Sequence, residues 1–174
     1  MRPGARVLSG FNDAQRAVQA RARDLAERLL VPGAAERDRS EAFPTSALIG
    51  LGEAGLMGVN LPDDVGGLAA GAVGYALAVR ELAGACAGTA VGMMVTNMVA
   101  EAIDKFGDAD QRRRWIPRIT KGEWPAAGFS LSEPDAGSDA GGLKATAERR
   151  GDHYVLNGTK SWVTSGGHAG LYLV

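Results

Sequence analysis

The amino-acid sequence predicts an α+β protein, with helices through residues 1–122 and the opening strands of a β domain after them. Up to about residue 122, apolar residues recur every three or four positions, which is the periodicity of a buried helix face. From residue 126 the pattern changes to short segments in which apolar and polar residues alternate, as they do in strands. The Asn157-Gly158 pair favours a tight type I′ turn between two such strands.

The first helix is predicted over residues 12–31. Asn12 and Gln15 match a capping box, in which each side chain bonds the backbone N–H of the other residue. The Pro32-Gly33 pair is typical of a helix end. Four apolar residues at spacings of four, three and four are expected to form the buried face: Val18, Ala22, Leu25 and Leu29.

Four further helices are predicted, over residues 44–54, 72–84, 89–106 and 108–120. Residues 60–71 have the composition of a long loop. Gly107 is placed to cap the end of the long helix, and Asp108 with Gln111 is typical of the start of the next. We expect Pro117 to kink or shorten that last helix, because proline has no backbone N–H.

Strands are predicted over residues 126–133, 143–150, 153–156, 159–164 and 170–174. The third and fourth would pair as a hairpin through Asn157-Gly158. About fifty residues are few for a self-sufficient core, and the final strand has no later strand to pair with. We therefore expect a truncated chain, or one that completes its β domain with a partner.

Composition and charge argue against several classes of function. The formal net charge is −1, from 19 basic and 20 acidic residues, so no global field attracts nucleic acid or a membrane. Cys86 is the only cysteine, which excludes a disulfide or a Cys-based zinc site within the chain and favours a reducing, cytoplasmic compartment. His153 and His168 lack metal-ligand spacing, so no metal site is predicted. Residues 85–100 are too glycine-rich and too short for a membrane span.

The polar loop "SEPDAGSD", residues 132–139, is a candidate anion site. Gly137 allows the backbone to turn, and the N–H groups of such a turn can converge on an anion. Ser138 adds a hydroxyl donor at the same place, which suits a phosphate or pyrophosphate. The alternative is an ordinary surface turn, because serine, glycine and aspartate are common turn residues.

A second candidate is Trp162, which is predicted to lie on a strand just ahead of Thr164. An indole can cover a flat ring, and a nearby threonine hydroxyl can bond the edge of that ring. The alternative for Trp162 is ordinary packing on the sheet. Both alternatives stay open from these residues alone.

Taken together, the two segments carry a family resemblance. "GFSLSEPDAGSD" (128–139), followed by "GDHYVLNGTKSWVTSGGHA" (151–169), resembles the acyl-CoA dehydrogenase family. Upstream, "GEAGLMGVNLPDDVGGLAAG" (52–71) and "KFGDADQRRRWIPRITKGEW" (105–124) are similar to the N-terminal helical domain of that family. The resemblance implies a helical domain over residues 1–124 and an incomplete, β-barrel-like middle domain over 125–174.

The resemblance implies FAD as cofactor and assigns roles to particular residues. Those expected to contact the cofactor are Phe129, Leu131, Ser132, Gly137, Ser138, Trp162 and Thr164. Phe129 to Ser132 would line the flavin, Trp162 would pack against its ring, and Thr164 would bond near its N5 edge. Ser138 would contact the phosphates and lie near the acyl-CoA. Met94 and Met98 would border the acyl chain, although either could equally be ordinary core.

The implied reaction is α,β-dehydrogenation of an acyl-CoA thioester, with an electron-transfer flavoprotein as acceptor and a homo-oligomer as the full-length assembly. The catalytic base of the family is a glutamate in a C-terminal domain, which is expected beyond residue 174, so no residue here is assigned that role. We therefore expect the 174-residue chain alone to be inactive. Two alternatives stay open: a related flavin enzyme, such as an acyl-CoA oxidase or flavin monooxygenase, and a non-enzymatic remnant of the fold.

Overall fold

Helices fill the first two thirds of residues 10–174, the part of the chain that the computed structural model describes. The α-helices are α1 Asp13–Leu25, α2 Ala34–Ser40, α3 Thr45–Glu53, α4 Gly71–Ala85, α5 Ala87–Phe106 and α6 Ala109–Thr120. The strands are β1 Ala127–Phe129, β2 Thr146–Arg150, β3 His153–Asn157 and β4 Leu171–Leu173. This order confirms the predicted α+β class, with helices first and strands after them.

Helix α1 begins at the predicted capping box and then changes its winding. The side chain of Asn12 accepts from the backbone N–H of Gln15 at 2.9 Å, and the reciprocal bond is 3.0 Å. From Ala26 to Leu30 the helix is a π-helix, which takes more residues per turn than an α-helix. The inward position therefore moves by one residue: Leu30 is fully buried, whereas the predicted Leu29 is only partly buried.

Helix α2 was not predicted from the sequence. It follows Gly33, which adopts the left-handed conformation at φ +79°, and it contains no buried residue. A helix without a buried face has no apolar periodicity, so the pattern that reveals the other helices is missing here.

The remaining predicted helices are confirmed within two residues at each end. Asp108 and Gln111 form a second capping box, with bonds of 2.8 and 2.9 Å. Gly107 caps α5 in an extended conformation, and Pro117 does not shorten α6, which continues to Thr120. Of the two expected effects, the shortening is therefore wrong, and the kink stays a prediction.

Buried polar side chains join the helices. Asn97 of α5 is 1% exposed; its Oδ1 accepts from the Val59 N–H at 2.9 Å, and its Nδ2 donates to the Leu56 carbonyl at 2.8 Å. Glu81 of α4 accepts from Arg23 and Gln19 of α1 at 3.1 and 2.8 Å. The hydrogen bonds from Arg23, and then Gln19, lower the pKa of Glu81 to about 2.

Two backbones meet where α3 passes the end of α6. A Cβ atom added to Gly52 would lie 2.6 Å from the Cα of Gly122, closer than real Cβ contacts allow. Gly122 itself is left-handed, at φ +71°. Both positions thus require glycine, one for the close approach and the other for its conformation.

The final strand has a partner, which the sequence did not predict. Strand β4 pairs with β1 in parallel, with Ala127 opposite Leu171. The pair is fixed to the helical part, because the N–H of Ala127 donates to Thr96 Oγ1 of α5 at 3.1 Å. Ala127 is fully buried. The start of the segment that follows β1 is therefore fixed to the helical part of the protein.

The predicted hairpin through Asn157-Gly158 is wrong. The observed hairpin joins β2 to β3, and its turn contains Gly151 at φ +66°. Asn157 is instead the last residue of β3, where it pairs with Thr146. Residues 159–164 lie in no strand. Gly151 supplies the left-handed conformation that a tight turn needs, whereas Gly158 has φ +148° and packs closely against Ala145.

Candidate functional site

The two sequence segments that carry the resemblance run side by side. The backbone N–H of Ser161 donates to the Ser132 carbonyl at 2.8 Å. The ammonium group of Lys160 donates to the Leu131 carbonyl at 2.9 Å. Leu131 and Ser132 are therefore brought next to the backbone that leads into Trp162.

Glu133 holds these segments together, a role that was not predicted from the sequence. Its carboxylate accepts from the Lys160 ammonium at 2.8 Å and from the backbone N–H groups of Lys144 and Ala145 at 2.7 and 3.0 Å. Glu133 is 8% exposed. The Lys160 hydrogen bond, followed by that of the Lys144 N–H, lowers the pKa of Glu133 to about 2. We call this arrangement the Glu133 clip.

Lys160 is the second residue that sequence reasoning missed. Its side chain is only 16% exposed, unusual for a lysine. A signal was present, because Lys160 lies two residues before Trp162 within the segment that resembles the family. The sequence does not show, however, which acid pairs with Lys160.

The loop after Glu133 is fixed by backbone hydrogen bonds where it begins, and the residues that follow are exposed to solvent. Glu133 and Ala136 exchange backbone hydrogen bonds of 2.9 and 3.1 Å, and Ala136 is buried. Gly137 and Ser138 beyond them are exposed. The Glu133–Ala136 pair closes a turn, and the backbone bends again at Gly137 and Ser138 just beyond it. Gly137 does so without a positive φ.

Trp162 lies on a turn rather than on the predicted strand. Its backbone is left-handed, at φ +59°, and its side chain is 95% exposed. A bulky residue in this conformation is uncommon and costs on the order of 1–3 kcal/mol. The ordinary alternative, packing on a sheet, is contradicted, because so exposed an indole packs on nothing within residues 10–174.

The other predicted contacts surround this turn. Phe129 is half-buried at the end of β1, where it packs against the edge of the core. Leu131 is 40% exposed, while Ser132 and Thr164 are half-buried. The hydroxyls of Ser132 and Thr164 and the apolar side chain of Leu131 thus lie in the segments that adjoin Trp162. Ser138 is not brought into contact with these three residues.

The two methionines of α5 that were expected to border the acyl chain differ in their surroundings. Met94 is half-buried and Met98 is 44% exposed, and four residues of separation place them on one face of the helix. Met93, by contrast, is fully buried in the core. Met98 is accessible to a ligand and Met94 is partly so, and the interpretation of both as ordinary core is wrong for Met98.

Candidate acids within residues 10–174 have structural partners. Glu101 accepts from Asn60 Nδ2 at 2.6 Å, and Asp139 accepts from the Gly141 N–H at 3.1 Å. Glu133 belongs to its clip. In the part of the chain that the structure describes, no three histidine, cysteine or acidic side chains gather as a metal site would require. No helix of the same part has the length and apolar character needed to cross a membrane.

Comparison with known proteins identifies the class of this fold and site. Residues 12–123 match the family described as acyl-CoA dehydrogenase, N-terminal domain, and residues 128–174 match the acyl-CoA dehydrogenase middle domain. These matches cover most of the chain. The chain belongs to the acyl-CoA dehydrogenase family.

Individual relatives agree with this assignment. The short-chain specific acyl-CoA dehydrogenase, mitochondrial, of Mus musculus is 42% identical over 153 residues, covering 87% of this chain and 37% of the relative. A solved glutaryl-CoA dehydrogenase of Mycobacterium smegmatis, in complex with FADH2, has a TM-score of 0.87 and 30% identity, covering 94% of this chain and 42% of its own.

A further solved chain comes from a structure described as the electron transferring flavoprotein of Acidaminococcus fermentans. Its TM-score is 0.91 at 32% identity, covering 95% of this chain and 44% of the other. The present chain therefore spans well under half the length of each of these three proteins.

Proposed function

We propose that the intact gene product is a flavoprotein that dehydrogenates an acyl-CoA thioester between its α and β carbons, with FAD as cofactor. One observation supports this most: the segments 129–133 and 160–164 lie side by side, and Trp162, within the second of them, is exposed. Family membership indicates the class of reaction, and these two segments are where we expect the flavin ring to bind.

The residues around Trp162 fit an isoalloxazine ring. The flat, apolar face of the Trp162 indole is exposed and free to stack on a ring. The hydroxyls of Ser132 and Thr164 lie in the two paired segments beside it, where they would bond a polar edge of that ring. When bound, the flavin would supply the hydride acceptor. The chain's own part is to fix the ring position, and the Glu133 clip does so by holding both segments.

The cofactor phosphates would lie at the loop tip. Gly137 and Ser138 are solvent-exposed, so a hydroxyl and backbone N–H groups are accessible there. The acyl chain would lie along the α5 face that carries Met94 and Met98. These roles remain predictions, as do the division at residue 124, the cytoplasmic location and the homo-oligomer.

We assign no catalytic base among these residues. Glu101, Glu133 and Asp139 are each engaged in the structural bonds described above. We propose that the base lies elsewhere in the intact gene product and that an electron-transfer flavoprotein is the electron acceptor. The resemblance to the Acidaminococcus fermentans structure supports that partner. An oxidase or monooxygenase is less well supported, because the named relatives are dehydrogenases.

Substitution of Trp162 tests the proposal. In the intact gene product, Trp162→Ala should weaken FAD binding about tenfold, because an aromatic stack and its buried area are lost. Fluorescence titration of the apoprotein with FAD measures this. Tyr154→Ala, at an aromatic residue that is 64% exposed on the β2–β3 hairpin, serves as the control and should bind FAD normally. Equal FAD affinity in the Trp162→Ala and wild-type proteins would contradict the proposed ring position.

A further inference from the structure

A cleft of about 740 Å³ lies between helix α2, the start of α5 and the segment that carries Ser165. Cys86 lies on the wall of this cleft and is only partly buried. A small solute that enters the cleft can therefore reach a thiol. We name this space the α2–α5 cleft.

Cys86 occupies a position that favours a negative charge. It is the N-cap residue of helix α5, which is 20 residues long. Its Sγ lies 3.1 Å from the hydroxyl oxygen of Thr89, three residues further along the chain. The N–H groups of a first helical turn and the helix dipole stabilise an anion at such an end. A cysteine placed there is stabilised as the thiolate.

Arg37 adds a positive charge on the α2 side of the cleft. Its guanidinium donates to the backbone carbonyls of Pro32, at 3.1 Å, and Leu30. No carboxylate of residues 10–174 forms an ion pair with it. Carbonyl oxygens carry only partial charges, so the charge of Arg37 is not neutralised.

The thiol of Cys86 responds to these groups. Burial raises its pKa, but hydrogen bonding to Thr89 and the charge of Arg37 together outweigh burial, so the pKa is lowered overall. Three other titratable side chains of residues 10–174 line the cleft, all of them solvent-exposed: Asp38, Glu41 and His168. Water and salt screen exposed charges, so these three act weakly on the thiol.

Two donors on the wall of the α2–α5 cleft have no acceptor. Ser165 is 9% exposed, and its Oγ has no hydrogen-bond partner within residues 10–174. The Nε of Arg37 is also buried and has no partner in the same part of the chain. Buried polar groups are hydrogen-bonded in the great majority of cases. Two such donors in the cleft that holds Cys86 indicate that an acceptor oxygen is added there.

From this arrangement we propose that Cys86 is a site of reversible oxidation by hydroperoxides, and that Ser165 and Arg37 bind the oxygen that its sulfur gains. The Cys86 thiolate attacks one oxygen of hydrogen peroxide, so that the O–O bond breaks and an S–O bond forms. The sulfur loses two electrons to the leaving oxygen. The proton of the transferred hydroxyl passes to that oxygen, and the products are a sulfenate and water.

Reduction returns the thiol. Cys86 is the only cysteine among these 174 residues, so we expect a small thiol to reduce its oxidised form. One molecule of that thiol condenses with the sulfenic acid to a mixed disulfide and releases water. A second molecule then displaces the Cys86 thiolate and leaves as the disulfide of the small thiol. No step involves the flavin, so this reaction stands apart from the dehydrogenation proposed above.

The rate of alkylation tests the thiolate. In the intact gene product at pH 7, iodoacetamide should alkylate Cys86 about threefold or more slowly in Arg37→Gln than in the wild type, because less thiolate is present. Arg39→Gln is the matched control and should be alkylated at the wild-type rate, since Arg39 is paired with Glu36 and does not line the cleft. Mass spectrometry of the peptide that contains Cys86 measures each rate.

Dimedone, which adds to sulfenic acids and not to thiols, tests the oxidation itself. After hydrogen peroxide treatment, the Cys86 peptide should take up dimedone, and dithiothreitol added in its place should restore the unmodified mass. Ser165 is left-handed, at φ +63°, so Ser165→Gly removes the hydroxyl without adding backbone strain. This variant should keep the Tm and the alkylation rate of the wild type. Its sulfenate, labelled at increasing delays after catalase removes the peroxide, should last several-fold less long, because one donor is lost.

Three results would overturn the inference. The first is a Cys86 peptide that iodoacetamide alkylates but that peroxide leaves unlabelled by dimedone. The second is an oxidised product that dithiothreitol does not reduce. The third is an equal sulfenate lifetime in Ser165→Gly and the wild type, which decides the matter even if Arg37→Gln does not fold. Each readout is the mass of one peptide, so it is independent of whether the gene product dehydrogenates an acyl-CoA.

Discussion

At the scale of single residues, Glu133 determines whether the two site segments stay together. It is the only carboxylate in residues 10–174 that accepts from one ammonium group and two separate backbone N–H groups. Removing one partner of a buried ion pair is costly, because the other charge is left without compensation. Lys160 would then lose its partner beside Trp162, so loss of the clip should also disturb the contacts that we propose for the flavin.

Titration of Glu133 should therefore be visible in stability. Its folded pKa of about 2 lies below the usual value for a glutamate, about 4.3. The stabilisation is thus complete above about pH 4.3 and is lost as the pH falls towards 2. Glu133→Gln should have a lower Tm at pH 7, and the difference from the wild type should shrink between pH 4.3 and 2.

Thermal unfolding followed by circular dichroism measures both Tm values. Glu81 titrates over the same range, but it is present in both proteins, so the difference isolates Glu133. Glu148→Gln, which removes an exposed partner of Arg150, is the control and should change Tm little at any pH. A constant difference between wild type and Glu133→Gln down to pH 2 would disprove the role of the clip.

The sequence suggests residues for the candidate site, but it does not show their backbone conformations. The sequence indicated Trp162 and Thr164 as a ring cover and an edge contact. It wrongly placed Trp162 on a strand, because alternating residues favour a strand and nothing local signals a tryptophan at φ +59°. Such a conformation is imposed by the surroundings, here the bonds of the neighbouring Lys160 and Ser161.

At the scale of elements, the helices that bury a face were predictable and the others were not. Capping boxes at Asn12 and Asp108 fixed two helix starts by local chemistry alone. Helix α2 buries nothing and so gave no signal. The π-helix after Leu25 depends on how the next residues pack, which is tertiary information.

The contact between α3 and the end of α6 gives a prediction at this scale. Gly52→Ala should lower the free energy of unfolding by about 1–3 kcal/mol, because the added methyl group overlaps the backbone of Gly122. Chemical denaturation measures the change. Gly84→Ala, in helix α4 where a Cβ meets nothing within 4 Å, is the matched control. It should stabilise by about 0.5–1 kcal/mol. Destabilisation by both variants alike would argue against a specific close approach.

At the scale of the whole molecule, the two halves differ in how well they are packed. One hydrophobic core runs through the helices, and after α6 its buried members are Ala126 and Ala127, with Phe129, Leu171 and Leu173 packed against it only partly buried. The β2–β3 hairpin is exposed along nearly all its length. The sequence could predict that residues 125–174 lack a core of their own. It could not predict the parallel β1–β4 pairing, because that pairing joins segments far apart in the chain and no local pattern indicates it.

Amide hydrogen exchange should show this difference in the 174-residue chain. Amides of residues 146–157 are expected to exchange roughly a hundredfold or more faster than those of residues 93–103 in α5, because few buried contacts oppose local opening. Mass spectrometry of peptic fragments measures both ranges. The β1 amides, fixed to α5, serve as an internal reference of intermediate protection. Equal protection of the hairpin and α5 would show that the hairpin is covered, contrary to the structure.

The pairing of Ala127 with Leu171 also bears on the order of folding. Contacts within helices join near neighbours and form fast, whereas this pairing closes a long loop and must first overcome the entropy of that closure. The Glu133–Lys160 bond spans a shorter stretch inside the same loop, so its formation brings the loop ends nearer to each other. Refolding followed by stopped-flow would therefore show helix formation first and a slower phase as the strands join. A chain still emerging from the ribosome would hold an ordered helical part well before Leu171 becomes available to close it.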